Sequence, residues 1–208
     1  SVYGIKNEKN VHEEMSLEPL TDYSKFKAEC ESILSRYNNE DFTTVTIRPA
    51  TVCGYSTRQR LDVVVNILTN LGYHKRKITV FGGDQLRPNL HIKDMIQSYH
   101  LVLNANKSLI SNQIFNVGSE NQKVIDLANI TKKIIGEDVI LESTPTNDNR
   151  SYHISSKKIS DILNFNTQFT VQDAVLDLKK AFDQKLLVNP LENEMYFNIK
   201  RMQSYQLK

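Results

Sequence analysis

Tyr23 and Lys27 stand four residues apart in the stretch TDYSKFKAEC, residues 21–30. Residues i and i+4 share one face of a helix, so a phenol and an ammonium converge there. A neighbouring cation stabilises phenolate and draws a tyrosine pKa down from about 10 towards working pH. Such a tyrosine can take or return the proton of a hydroxyl while hydride leaves or reaches the same carbon. The spacing recurs at Tyr73/Lys77 and Tyr196/Lys200, so spacing alone does not select a pair. Position does. Tyr23 and Lys27 fall in the first turns of a well-capped helix. Tyr73/Lys77 is expected in a loop between helix and strand, and Tyr196/Lys200 in an ill-defined tail. A catalytic pair needs a rigid platform. The structural alternative has Tyr23 covering a groove and Lys27 solvated.

The elements that would hold this pair follow from patterning. Thr21 or Asp22 can cap a helix whose Phe26, Cys30, Ile33, Leu34 and Tyr37 recur at three and four. TTVTIRP is a short β-branched strand with Pro49 at its exit, and ATVCGYSTRQR is expected as loop. Helical periodicity then covers LDVVVNILTNLGY, DMIQSYHLVLNAN with Asp94 as its cap, and KVIDLANITKKIIG with Gly136 as its stop. SSKKISDILNF and TVQDAVLDLKKAFDQK read as two further capped helices. KITVFGG, NQIFNVG and DVILEST read as strands, LRPNLHIKD as extended chain. Strands alternate with helices throughout, which argues for an α/β protein.

Composition narrows the classes. The 208 residues carry 39% hydrophobic and 24% charged residues with a net charge of +2, and the cations are spread along the chain. Nothing there calls for nucleic acid or an anionic membrane. There is no apolar run of about 20 residues and no secretory signal. Cys30 and Cys53 lie far apart, and His12, His74, His100 and His153 show no ligand spacing. Free thiols in a reducing cytoplasm, without a structural metal, are the expected state. The chain opens on SVYG without methionine, like a strand running into a turn, and is expected to be cut from a longer protein.

Five ordered segments carry a resemblance. SVYG is followed after about twenty residues by PLTDYSKFKAECE and then by TIRPATVCG; further on come VFGGDQLRPNLHIKDM, QIFNVGSEN and NDNRSYHISSKKISDILNF. In this order they resemble the extended short-chain dehydrogenase/reductase superfamily, from residue 1 to about 185, and its sugar-nucleotide epimerase and dehydratase branch best. The resemblance implies a Rossmann-type parallel sheet domain plus a smaller α/β substrate domain. Residues 1–50 would be the remaining C-terminal portion of the NAD-binding domain. Residues 51–208 would be mainly substrate-binding, some segments returning to the Rossmann sheet.

By the same resemblance Tyr23 is the acid/base on a sugar hydroxyl and Lys27 holds the nicotinamide ribose, with Pro49 and Thr51 at the cofactor edge. Phe26 stands where the family usually has a small residue. Arg87 matches the arginine that grips the nucleotide diphosphate and Arg150 the late one with the same role, as a planar guanidinium suits phosphate. Thr51 replaces an asparagine near the substrate phosphates, and Arg58 and Asn66 are further candidates. His91 and Asp94 match a structural pair. The family's catalytic Ser/Thr lies two positions before Ser1. Ser1 itself stands where 4,6-dehydratases typically hold a glutamate, which favours epimerisation or plain oxidoreduction over water elimination.

The implied cofactor is NAD, with NADP as the alternative, and the implied ligand a nucleotide-diphosphate sugar. The seven glycines, at 4, 54, 72, 82, 83, 118 and 136, do not form the G-x-x-G-x-x-G that brings backbone against a pyrophosphate. The cofactor site is therefore expected to be incomplete and the 208-residue chain inactive alone. An open sheet edge and bare apolar faces imply a partner, either a second copy or the missing half. The resemblance implies a homodimer through the Tyr–Lys helix, which fits the apolar stripe from Phe26 to Tyr37. The rival readings are a dehydratase or reductase, and a non-catalytic module of the same fold.

Overall fold

The computed structural model describes residues 2–6, 8, 10–146, 151 and 153–205. Helix α1, Asp22–Arg36, starts at Thr21, whose Oγ1 accepts from Ser24 N at 3.2 Å. The cap expected for the Tyr–Lys helix is thus present. The apolar stripe lies outward: Phe26 is 65% exposed and Tyr37 63%, and Ser24 is the buried residue of the helix.

Strand β1, Val45–Pro49, pairs in parallel with β5, Gln113–Val117, with Ile47 opposite Phe115. Residues beyond 51 thus return to the β1 sheet. Ala50 separates β1 from the next strand by one residue, its N–H bonded to Val117 O. Strand β2, Thr51–Cys53, then pairs in parallel with β4, Leu86–His91, which runs antiparallel to β6, Glu120–Lys123. Residues 51–53 were expected as loop. The β-branched Thr51 and Val52 instead find a partner in β4, a non-local pairing that local pattern does not show. A third pair joins β3, Lys77–Phe81, to β7, Ile140–Thr144.

The helices follow the expected periodicity. They are α2, Val64–Lys75; α3, Ile92–Asn104; a short α4, Lys107–Ile110; α5, Val124–Ile135; α6, Lys157–Leu163; α7, Val171–Asp183; and α8, Asn198–Ser204, preceded by a 3-10 turn, Glu194–Tyr196. Helices α2, α5 and α7 bury Val65, Leu68, Leu127, Ala128 and Val175 against Ile78 and Val80 of β3. A separate core gathers Leu90, Phe115, Val117 and Ile159.

Two caps differ from expectation and a third meets it. His91 rather than Asp94 caps α3, its Nδ1 accepting from Lys93 N at 3.1 Å. Asp94 is buried in the first turn, and its carboxylate accepts from Gln168 N and Phe169 N at 3.0 and 3.1 Å. Tertiary demand for an acceptor at that loop outweighs a local cap. Ser156 stands at the start of α6 but bonds Gly118 N and O instead. Thr170 and Asp173 form a full capping box on α7. The competing Tyr–Lys spacings also resolve. Tyr73 lies in the last turn of α2 while Lys77 opens β3, with Arg76 between them at φ 50°. Tyr196 ends the 3-10 turn and Lys200 sits in α8. Tyr23 and Lys27 alone among these pairs share one helix.

Candidate functional site

Strand β1 ends at Pro49, and Ala50 and Thr51 carry the chain into β2. Gly54 then turns it at φ 101°, a conformation that suits a residue without Cβ. A Cβ there would stand 3.2 Å from His91 Nε2. Beside this turn lies an open cleft of about 610 Å³. Tyr23 of α1 forms one wall, Pro49, Ala50 and Thr51 the strand-end rim, and Arg58 and Arg60 the loop side.

The structure therefore brings Tyr23, Pro49, Thr51, Arg58 and Asn66 to a single cleft. Lys27 stands one turn along α1, its Nζ 5.7 Å from the Tyr23 ring centroid. Arg87 lies on β4, beside the strand β2 that borders the cleft, with its Nη1 donating to Leu86 O at 3.2 Å, and it is not among the residues that line the cleft. Ser1 and Arg150 lie outside the described residues.

Asn66 lines the cleft with its amide already engaged. Its Oδ1 accepts from Gly54 N at 3.0 Å and its Nδ2 donates to Arg60 O at 2.8 Å, and it is buried. Its part is to hold the loop. Gln59, which sequence reasoning passed over, does the same from within the loop. It is buried, accepts from Ser56 N at 3.0 Å and donates to Arg60 O at 3.0 Å. The alternation of Arg58, Gln59 and Arg60 is the signal that was available, because two exposed cations flank one inward amide. Arg60 is the second cation of the cleft, and its Nε donates to Asp62 Oδ1 at 2.6 Å.

Cys53 forms part of the floor. Burial pushes its thiol up to about 12, and its Sγ donates to Leu90 O at 3.4 Å, which disfavours the reactive thiolate. Burial lowers the pKa of His91, whose Nδ1 accepts the Lys93 amide, leaving Nε2 to carry the proton 3.4 Å from Asp177 Oδ2. Its ring stacks on Phe169 at 4.8 Å. Among the described residues there is no group of His, Cys, Asp and Glu arranged to hold a metal ion, and no helix long and apolar enough to cross a membrane.

A dinucleotide would fit this chain in part. Tyr23 and the Pro49–Thr51 rim offer an open wall with room for a ribose and ring, and Lys27 stands one turn along α1 from Tyr23. The glycine-rich cradle for a pyrophosphate is not among the seven glycines.

Parallel strand pairs flanked by helices, with a cleft at their carboxyl ends, define a Rossmann-like α/β fold. Solved structures show the same fold. The chain is similar to UDP-glucuronic acid 4-epimerase from Bacillus cereus, in complex with UDP-glucuronic acid and NAD, with a TM-score of 0.78 and 25% identity, covering 89% of this chain and 59% of that one. It is similar to dTDP-glucose 4,6-dehydratase from Bacillus anthracis str. Ames in complex with NAD, with a TM-score of 0.78 and 18% identity, covering 92% and 62%. It is also similar to UDP-glucose 4-epimerase from Thermotoga maritima with UDP-glucose, with a TM-score of 0.73 and 21% identity, covering 90% and 63%. The chain thus spans about 60% of the length of the structures it matches. The NAD dependent epimerase/dehydratase family matches residues 1–118, and the chain belongs to that family.

Proposed function

We propose that this chain is part of an NAD-dependent sugar-nucleotide epimerase that oxidises and re-reduces one ring hydroxyl. The observation that carries the reading is the shared cleft. An exposed tyrosine with a lysine one turn away faces a loop bearing two arginines, across the ends of β1 and β2. The chemistry supplied by NAD, when bound, is reversible hydride transfer at the sugar carbon. Tyr23 takes the proton from the hydroxyl oxygen and later gives it back. Lys27, one turn away, holds a ribose. Arg58 and Arg60 attract the diphosphate, with Thr51 as a hydroxyl donor at the rim. Arg87 and Arg150 are proposed to complete the diphosphate grip as the nucleotide settles. NADP is the alternative cofactor.

Ser1 supports epimerisation over dehydration, because a serine supplies no carboxyl proton donor for water elimination. Residues 1–50 are proposed to belong to the dinucleotide-binding unit and 51–208 mainly to the substrate unit. Without a glycine-rich cradle the 208 residues alone are expected not to turn over. The outward apolar face of α1, with Phe26, Ile33 and Tyr37, is proposed to pair two copies. The unpaired thiols Cys30 and Cys53 accord with a reducing cytoplasm.

The test uses the protein purified from its source cells, incubated in D2O with UDP- or dTDP-hexoses and either NAD or NAD(P)H. An epimerase inverts one carbinol centre and leaves that carbon free of solvent deuterium, since the hydride leaves and returns. A keto-deoxy sugar carrying solvent deuterium would instead identify a dehydratase. Net consumption of NAD(P)H would identify a reductase.

A further inference from the structure

The loop that carries Arg58 and Arg60 is gripped from two sides. Gln59 and Asn66 hold it from within. The C-terminal segment holds it from outside. Leu61 N donates to Tyr196 O at 2.8 Å, and Asn198 N donates to Asp62 Oδ2 at 2.8 Å. The other oxygen of Asp62 accepts from Arg60 Nε at 2.6 Å, so one carboxylate links the tail backbone to a cleft cation. Arg58 Nη1 and Nη2 each lie 3.5 Å from Asn198 Oδ1. Beneath these contacts Leu61 is buried with Leu178, Phe182 and Leu187, and Tyr196 and Phe197 pack on that cluster. Asn70 of α2 anchors the start of the segment by donating to Pro190 O at 2.8 Å. The family match ends at residue 118, so the outer grip comes from a part of the chain that the match does not include.

We propose that residues 190–198 are a positioning brace for the arginine loop, and that the affinity for a nucleoside diphosphate group depends on this brace. The proposal rests on the function proposed above. The brace touches no substrate and acts through Arg58 and Arg60. A loop tied at Leu61 and Asp62 presents its guanidinium groups already ordered, so less freedom is lost when an anion binds. A loop released on its outer side must be ordered by the ligand itself.

Asn198 allows a clean cut. It is the first residue of α8, where proline fits a helix and needs no N–H. Phe197 before it is extended at φ −127° and ψ 105°, as a residue preceding proline should be. Asn198→Pro therefore removes the donor to Asp62 and the oxygen beside Arg58 while leaving α8 able to form. Asn198→Ala keeps the N–H and removes only the weak Arg58 contact. UDP binding to each is measured by calorimetry at low salt, with amide exchange at Leu61 read in parallel.

Asn198→Pro is expected to weaken UDP binding about threefold to tenfold, the range for losing a hydrogen bond that orders a charged group. Exchange at Leu61 should quicken, Asn198→Ala should stay within about twofold of the unsubstituted chain, and the difference should shrink in 1 M salt. Unchanged UDP affinity in Asn198→Pro would overturn the brace and leave the proposed function standing. An equal loss in both variants would also overturn it, because the Asp62 link would then not matter. If the unsubstituted chain takes up no UDP, the proposed function falls and the binding role of the brace falls with it.

Discussion

Arg48 grips Glu31 along a whole edge: Nη2 lies 2.6 Å from Oε2 and Nε 3.0 Å from Oε1. Glu31 sits one turn beyond Lys27 and two beyond Tyr23, so the pair ties their helix to β1, the strand that ends at the cleft rim. The same guanidinium donates from Nη1 to the Tyr3 hydroxyl at 2.7 Å, and Tyr3 donates on to Asn116 Oδ1 at 2.7 Å on β5. One cation thus links α1 to β1 and, through Tyr3, to β5.

Both partners of that pair are largely withdrawn from water, with 8% and 14% of their side chains exposed. Removing one leaves the other uncompensated. Arg48→Ala is expected to lower stability by about 3 kcal/mol in urea denaturation. Arg48→Lys keeps the charge but not the two-pronged contact, and should fall between. A loss below about 0.5 kcal/mol for Arg48→Ala, the level of an ordinary surface change, would show that the pair does not hold the helix.

Glu13 behaves differently. Its Oε1 accepts from Asn116 N at 2.6 Å, yet burial pushes its carboxyl above the ordinary value. A carboxyl with a raised folded pKa binds more protons in the folded state. Its contribution to stability is present at low pH and declines as pH rises through the raised value. Glu13→Gln keeps an acceptor and removes the charge, so the variant should be more stable than the wild type at pH 7. That advantage should vanish below the ordinary carboxylate range, near pH 4. Parallel urea titrations at the two pH values check this. A variant equally destabilised at both would contradict it.

The two thiols should separate by accessibility. Cys30 is exposed on α1, while Cys53 is buried on the cleft floor. In the folded protein at pH 8 one thiol should react with an aromatic disulfide reagent, and both should react in urea. Rapid labelling of Cys53 without denaturant would mean that the cleft floor opens.

Much of this was legible beforehand because it is local. Thr21 as a cap, the periodicity of α1, α2, α5 and α7, and the capping box at Thr170 depend on neighbours within one turn. The three Tyr–Lys spacings were separable for the same reason, since Arg76 breaks one and a 3-10 turn the other. What escaped depends on distant partners. Thr51–Cys53 is a strand only because β4 lies beside it, Asp94 serves a loop 74 residues away, and Ser156 is drawn to Gly118. Asn66 shows the same limit. Its place on the cleft was foreseeable, but not that Gly54 and Arg60 would take up its amide.

The central claim is that Tyr23 moves the proton of the reacting hydroxyl. The direct measurement is single-turnover conversion of the preferred nucleotide sugar by the protein and by Tyr23→Phe, made in the form purified from its source cells. Removing a positioned acid/base is expected to slow kcat by about 10²- to 10⁴-fold with little change in sugar-nucleotide binding. Tyr23 is 67% exposed on α1, so the variant should fold as the parent does. Turnover by Tyr23→Phe at the parental rate would contradict the account and leave a non-catalytic tyrosine on an open cleft.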